Sequence, residues 1–210
     1  MVKEVWPWMA MGLGLTLALA GFGHGVPSIM AGLATLAVAS FFRDPRRAIP
    51  LDPDHILSPA DGRVVGISSS GSEQPEGTCC VSIFLSVFNV HVNRAPVAGR
   101  VEAIRYSPGA FMPAFREKAS ALNEQNLIIM ETSRGPLAVK QIAGLIARRI
   151  RCWKGVGDRV AQGDKIGFIT FGSRVDIFVP AAARLRVVVG DRVRGGLSVI
   201  AAWPGSGEKR

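Results

Sequence analysis

Val156-Gly157-Asp158-Arg159-Val160 recurs without change as Val189-Gly190-Asp191-Arg192-Val193. In each copy the glycine suits a positive φ, the aspartate can bond to nearby backbone, and the branched residues lead into a strand. A looser echo lies upstream, where Pro59-Ala-Asp-Gly-Arg-Val64 returns as Pro96-Val-Ala-Gly-Arg-Val101. Paired turn-and-strand motifs predict two similar β-hairpin halves, packed as a sandwich or a flattened barrel. Their spacing is too irregular for a solenoid, and chance repetition of a generic turn is the competing reading.

The rest of the segment beyond residue 50 agrees with that pattern. Branched runs alternate with Gly/Pro turns at Arg63–Ile67, Cys80–Leu85, Gly99–Arg105, Leu127–Thr132, Leu137–Ala143, Ile166–Phe171, Val175–Val179 and Leu185–Val189. One helix is expected, over Met112–Glu124. The class is therefore α+β, mostly β with few helices, carrying an N-terminal apolar helical membrane segment.

That segment shows in the charge distribution. The chain has 210 residues, 25 Lys+Arg and 16 Asp+Glu, a net charge of +9. Residues 1–42 hold only Lys3 and Glu4 and sum to zero, so the whole +9 falls in 43–210. An apolar leader joined to a basic body excludes an acidic disordered chain, a collagen-like chain and a polytopic transporter. The leader reads as two apolar pieces, Trp8–Ala20 and Ser28–Phe42, broken at Gly21–Pro27. Each is shorter than the roughly 20 residues that cross a bilayer as a straight helix. A shallow hairpin, one kinked span and a cleaved signal peptide are the membrane options, and a pair of buried core helices is the bland one. Lys3, balanced by Glu4, makes a poor signal-peptide n-region. The basic run Arg43-Asp44-Pro45-Arg46-Arg47 next to the leader predicts a membrane hairpin or anchor with the basic domain on the cytoplasmic face, attracted to anionic headgroups. The boundaries expected are 1–42 for the anchor and 43–210 for the globular part.

Few residues offer chemistry. Cys79, Cys80 and Cys152 are odd in number and lack metal or disulfide spacing, so they read as small buried hydrophobes in a reducing compartment. His24 and His55 have no neighbouring ligand pattern, which disfavours a metal site. His91 stands among Asn89, Asn93 and Arg94; alone, such a histidine is more often structural. Asp61 in Ser58-Pro-Ala-Asp-Gly62 and Gly172-Ser173 between two strands read equally well as turns. No glycine-rich run has phosphate-loop spacing. Nucleic-acid binding is disfavoured, because aromatics make up 7% and form no platform with the basic residues. A non-enzymatic module like a biotinyl or lipoyl carrier would need an exposed lysine in a Met-Lys context, which Lys140, Lys154 and Lys165 lack.

Taken together, five ordered segments resemble a known family. Ser58-Pro-Ala-Asp-Gly-Arg-Val64, Phe88-Asn-Val-His-Val-Asn-Arg-Ala-Pro96, Asn123-Glu124, Gln141-Ile-Ala-Gly144 with Ala147-Arg-Arg-Ile150, and Phe171-Gly-Ser-Arg174 occur in the order found in phosphatidylserine decarboxylase proenzymes. The short, single-domain branch is the nearest pattern, and the leader followed by Phe41-Phe42-Arg43-Asp44-Pro45 resembles it too. Phe171 and Arg174 stand where the family's Leu-Gly-Ser-Thr motif has Leu and Thr. Arg94 stands where longer members carry a second histidine.

The resemblance implies a pyruvoyl enzyme that converts phosphatidylserine to phosphatidylethanolamine and CO₂. Cleavage between Gly172 and Ser173 would give a β chain, 1–172, and an α chain, 173–210, held as a heterodimer that could assemble further. The Ser173 hydroxyl attacks the Gly172 carbonyl, turning the amide into an ester. β-Elimination then frees the Gly172 carboxylate, and hydrolysis of the resulting dehydroalanine leaves a pyruvoyl group and ammonia. That ketone takes the place of pyridoxal phosphate as electron sink, with no metal required. The resemblance assigns Asp61 to orient His91 and His91 to deprotonate Ser173; Arg94 is a weaker candidate for the substrate phosphate or carboxylate. A decarboxylase of a related, archaetidylserine-like lipid would look similar.

Overall fold

A computed structural model describes residues 1–69, 76–113, 119–145, 149–170 and 172–204. The chain divides into two compact units, Met1–Arg46 and Arg47–Arg210.

The first unit is a helical hairpin, α1 (Trp6–Gly21) and α2 (Gly25–Phe41). Gly23, with φ +75°, makes the turn between them. Small residues let the helices approach: Gly12 faces Thr35, Gly32 faces Thr16, and the Ser28 hydroxyl donates to the Thr16 carbonyl at 2.9 Å. That order of contacts makes the helices antiparallel, so a single kinked span does not form. With 16 and 17 residues, they extend about 24–26 Å at 1.5 Å per residue. No helix among the described residues is long and apolar enough to cross a membrane, in keeping with the short length of the two apolar pieces. The hairpin is nonetheless apolar all round, with Trp6, Trp8, Leu13, Leu17 and Phe22 exposed.

Among the described residues, the regular structure of the second unit is β except for a four-residue helix, α3 (Ala119–Leu122). Its strands are β1 (His55–Leu57), β2 (Gly62–Ser68), β3 (Thr78–Leu85), β4 (Val92–Arg94), β5 (Gly99–Ser107), β6 (Gln125–Thr132) and β7 (Gly135–Ile142). They continue as β8 (Ile150–Cys152), β9 (Arg159–Val160), β10 (Lys165–Ile169), β11 (Ser173–Pro180), β12 (Arg184–Leu185), β13 (Arg192–Val193) and β14 (Val199–Ala202). An eight-stranded sheet runs β13-β2-β3-β11-β7-β6-β5-β9, and two three-stranded sheets run β1-β14-β12 and β4-β10-β8. The branched inward residues of the large sheet pack with Ile56, Ile166, Ile169, Ile200 and Ala201 from the small ones in one core. The unit is mostly β, as expected. Of the helix expected over Met112–Glu124, Ala119–Leu122 is helical, Met112, Pro113, Asn123 and Glu124 are not, and residues 114–118 lie outside the described residues.

The echoes in the sequence are two halves of the same topology. Arg192 and Val193 pair with Arg63 and Gly62; Arg159 and Val160 pair with Arg100 and Gly99 in the same register. Gly190 and Gly157, both at positive φ, donate to the Val64 and Val101 carbonyls at 2.8 Å each. Leu57 N–H donates to the Pro96 carbonyl and Arg94 N–H to the Pro59 carbonyl, both at 2.9 Å, so the halves exchange equivalent bonds. The strands β1, β2, β3, β11, β12, β13 and β14 correspond in order to β4, β5, β6, β7, β8, β9 and β10. The second half is therefore inserted into the first, between β3 and β11. In the second half, β6 and β7 are joined by a two-residue turn, Ser133-Arg134, closing on the Thr132–Gly135 pair. Its counterpart pair in the first half is Leu85–Ser173.

Two measurements follow. A Cβ at Gly62 would strike the Phe84 carbonyl, and one at Gly99 the equivalent Glu131 carbonyl. Gly62→Ala and Gly99→Ala should each cost about 1–3 kcal/mol in urea unfolding, while equal stability to the parent would refute the paired packing. Burial, reinforced by Asp176, pushes the Cys80 thiol up to about 12. Native alkylation at pH 8 should therefore spare Cys80, and rapid labelling there would contradict its environment.

Candidate active site

β11 begins at Ser173, lying between β3 and β7. Alternation along the strand sends Val175, Ile177 and Val179 into the core, and Ser173 shares their face. The Ser173 side chain is fully buried, and its Oγ has no hydrogen-bond partner among the described residues. Burying a hydroxyl without a partner costs free energy, so such an atom marks a site of function or strain. Gly172 sits at φ +59°, a left-handed conformation that L side chains rarely adopt. Among the described residues, chain neighbours aside, no atom lies within 4 Å of where its Cβ would be, so backbone conformation and not space calls for glycine. Phe171 lies outside the described residues, as do Ala147 and Arg148 of the motif ending at Ile150.

His91 stands at the entry to β4, on the connection that leaves β3 at Leu85, the register partner of Ser173. It is fully buried, and its carbonyl accepts from Ile169 N–H at 3.4 Å. Nδ1 lies 3.0 Å from the Asn89 carbonyl. A carbonyl only accepts, so Nδ1 carries a proton, and in the neutral imidazole this leaves the lone pair on Nε2.

Asp61 precedes β2, whose Arg63 pairs with Phe84 and, across β3, with Arg174. Its carboxylate is held from two sides. Arg47 Nη1 donates to Oδ1 at 2.6 Å and Nη2 to Oδ2 at 2.9 Å, while Gly195 N–H donates to Oδ1 at 2.7 Å. Arg47 also donates to the Gly195 carbonyl. The side chains of Arg47 and Asp61 are 6% and 11% exposed. Arg47 is thus committed to Asp61 and is not part of a headgroup-attracting surface as the basic run suggested. The hydrogen bond that orients His91 at Nδ1 comes from Asn89, whereas the bonds on Asp61 come from Arg47 and Gly195. Arg94 is buried, and its Nη1 donates to the Gly163 carbonyl at 2.9 Å.

Polar residues flank the face of Ser173. Gln141, the register partner of Val175, donates to Asn93 Oδ1 at 2.8 Å and accepts from Asn126 at 3.0 Å. Asn123 bonds both to Met112 and to the Ala143 carbonyl, at 2.7 Å for the latter, fixing the segment that ends at β6. On the opposite face, Arg174 donates to Asp176 Oδ1 and Ser82 Oγ at 2.6 Å each, and Ser120 donates to Asp176 Oδ2 at 2.7 Å. An arginine is therefore accommodated after Ser173 because a buried carboxylate meets it. Sequence reasoning missed this pairing and that of Arg47 with Asp61; period-two spacing of Arg174 and Asp176 was the available signal for the first.

The equivalent end of the sheet, related by the correspondence of the halves, carries other residues. Gly135 takes the place of Ser173, Ala98 that of Asp61, and Asp54 that of His91. A cavity of about 270 Å³ lies there, lined by Pro53, His55, Ala98, Ser133 and Arg134 among others.

Comparison with known proteins agrees with this geometry. The family model for phosphatidylserine decarboxylase matches residues 34–201. The phosphatidylserine decarboxylase proenzyme of Ralstonia pickettii (strain 12J) is 44% identical over 206 residues, covering 96% of this chain and 94% of that one. The proenzyme of Ralstonia nicotianae (strain ATCC BAA-1114 / GMI1000) is 46% identical over 171 residues, 80% of each chain. That of Burkholderia pseudomallei (strain 1106a) is 40% identical over 209 residues, covering 97% and 95%. Matched across nearly its whole length, the chain belongs to the phosphatidylserine decarboxylase family.

Proposed function

We propose that this protein is a self-processing carboxy-lyase that converts phosphatidylserine to phosphatidylethanolamine and CO₂ in phospholipid biosynthesis. The observation that carries the reading at the site is Ser173 itself: a buried hydroxyl with no hydrogen-bond partner among the described residues, preceded by a glycine at positive φ, at the start of a central strand. His91 Nε2 removes the Ser173 proton, and Oγ attacks the Gly172 carbonyl carbon. The Gly172–Ser173 amide becomes an ester and then breaks by β-elimination, giving chains 1–172 and 173–210. The residue left at 173 is a pyruvoyl group, held at the buried start of β11, where the ladder to β3 continues through Arg174–Phe84. When formed, that group supplies the electron sink for loss of CO₂ from the serine headgroup. No external cofactor enters the scheme.

Asp61 places a carboxylate at the same end of the sheet, where it favours the cationic imidazole that forms as His91 takes the proton. Arg47 and Gly195 N–H fix that carboxylate. The position of Arg94, with Nη1 on Gly163 and its backbone N–H on Pro59, supports a role in tying the two halves together more than in reading the substrate. The substrate is a bilayer lipid, and we place the enzyme at the cytoplasmic face of the cell membrane. The apolar hairpin, followed by Arg43 and Arg46, supports this.

Denaturing electrophoresis tests the scheme. The 22.4 kDa chain should separate into two fragments, the smaller blocked at its N-terminus by a carbonyl-reactive group; one intact, unreactive chain would refute it. Ser173→Ala should remain whole and inactive. His91→Ala should slow self-cleavage about 10²–10⁴-fold, and cleavage at the parent rate would move the base elsewhere. Arg47→Ala leaves a buried carboxylate without its cation and should cost about 3–5 kcal/mol of stability, with Arg47→Lys recovering part of it. A variant as stable as the parent would show the ion pair to be dispensable.

A further inference from the structure

We propose that the end of the second unit bearing residue 173 is a docking face for an anionic phospholipid bilayer; this rests on the decarboxylase reading and names the surface through which its substrate arrives. Outside the helical hairpin, ten large apolar side chains are exposed among the described residues, and six of them gather at this one end: Val87, Phe88, Tyr106, Phe111, Leu122 and Leu145. Strand register places them together. Phe88, 83% exposed, lies three residues beyond Leu85, the partner of Ser173 on β3. Leu145, 59% exposed, lies three residues beyond Ile142, the partner of Arg174 on β7. Leu122 precedes Gln125, which pairs with Ile142, and Tyr106 pairs with Asn126 one strand further on. The two loops that leave the immediate neighbours of β11 thus each raise an apolar side chain beside residue 173.

The chemistry of the patch matches a lipid interface more closely than a protein partner. Apolar residues accompanied by Tyr106 and by exposed Arg105 and Arg149 combine acyl-chain contact with attraction to anionic headgroups. The net charge of +9 acts in the same sense. Residue 173 is fully buried at the start of its strand, so the serine headgroup must come to it. Withdrawing a two-chained lipid far from the bilayer exposes its methylenes to water. Loops that dip beneath the headgroups bring residue 173 to the plane of the serine and leave the acyl chains where they are.

Full-length, self-cleaved protein carrying Phe88→Ser and Leu145→Ser tests the face, with self-cleavage reporting that the fold is intact. Activity is measured on monomeric short-chain phosphatidylserine and on vesicles of long-chain phosphatidylserine in phosphatidylcholine. The expected result is an unchanged kcat/KM on the monomeric lipid and a loss of about tenfold or more on vesicles, carried by the interfacial KM. The Phe88→Trp, Leu145→Trp variant should retain the vesicle activity. An equal loss on both substrates, or no loss on vesicles, overturns the proposal. So does a change in oligomeric mass with vesicle kinetics unaltered, which would make the patch an interface between copies of the chain. A parent protein inactive on the short-chain lipid as well would instead remove the decarboxylase reading, and the docking face with it.

Discussion

The hydrogen bonding of β11 between β3 and β7 is the constraint on which the rest of the molecule depends. Eight residue pairs join β11 to β3 and five join it to β7. Ser173 is the first residue of that strand, so cleavage before it leaves the pairs from Arg174–Phe84 onward in place. The new terminus stays where the core holds it, because Val175, Ile177 and Val179 are fully buried immediately behind it. Self-cleavage in this family can therefore generate a reactive end-group without opening the fold.

Insertion of one half into the other sets the surroundings of the bond proposed to react, Gly172–Ser173. In the second half, the turn from β6 to β7 is closed by two residues, with Gly135 at φ +112°. In the first half, the equivalent position receives the chain from β10 after a whole second half has intervened. The arriving segment must enter β11 from outside the hairpin, and Gly172 at φ +59° makes that entry. The same topology thus yields a tight turn at one end of the sheet and a functional junction at the other. Ser173, Asp61 and His91 have Gly135, Ala98 and Asp54 as counterparts, so the chemistry resides in residue identity and not in topology.

Charge is used in two different ways. Arg47 and Arg174 are desolvated and matched to Asp61 and Asp176. A buried guanidinium paired bidentately fixes a carboxylate in place, and losing either partner would strand the other. Arginines in solvent, such as Arg105 and Arg149, are left to interact over longer range. Net charge alone does not separate these roles.

The long branched runs Arg63–Ile67, Cys80–Leu85, Gly99–Arg105, Leu127–Thr132, Leu137–Ala143 and Val175–Val179 were legible as strands because alternation over five or more residues is a local property. The two echoes announced the paired halves for the same reason. Strands of two to four residues, such as β4, β8 and β14, were not legible, since they exist only by pairing with distant partners. Leu185–Val189 was expected as a strand, but only Arg184–Leu185 pairs, against Ala202 and Ala201. The order of motifs pointed to Ser173, His91 and Asp61, and to the family. What the sequence by itself determined was the mostly β class of the fold, the family, and Gly172-Ser173 as the candidate reacting pair. Tertiary structure alone decided that Arg47 closes on Asp61, that Arg174 closes on Asp176, that one half is threaded into the other, and that Phe88 and Leu145 stand beside residue 173. Each of those depends on register between segments far apart in the chain, and register is set by packing and hydrogen bonding that no local pattern encodes.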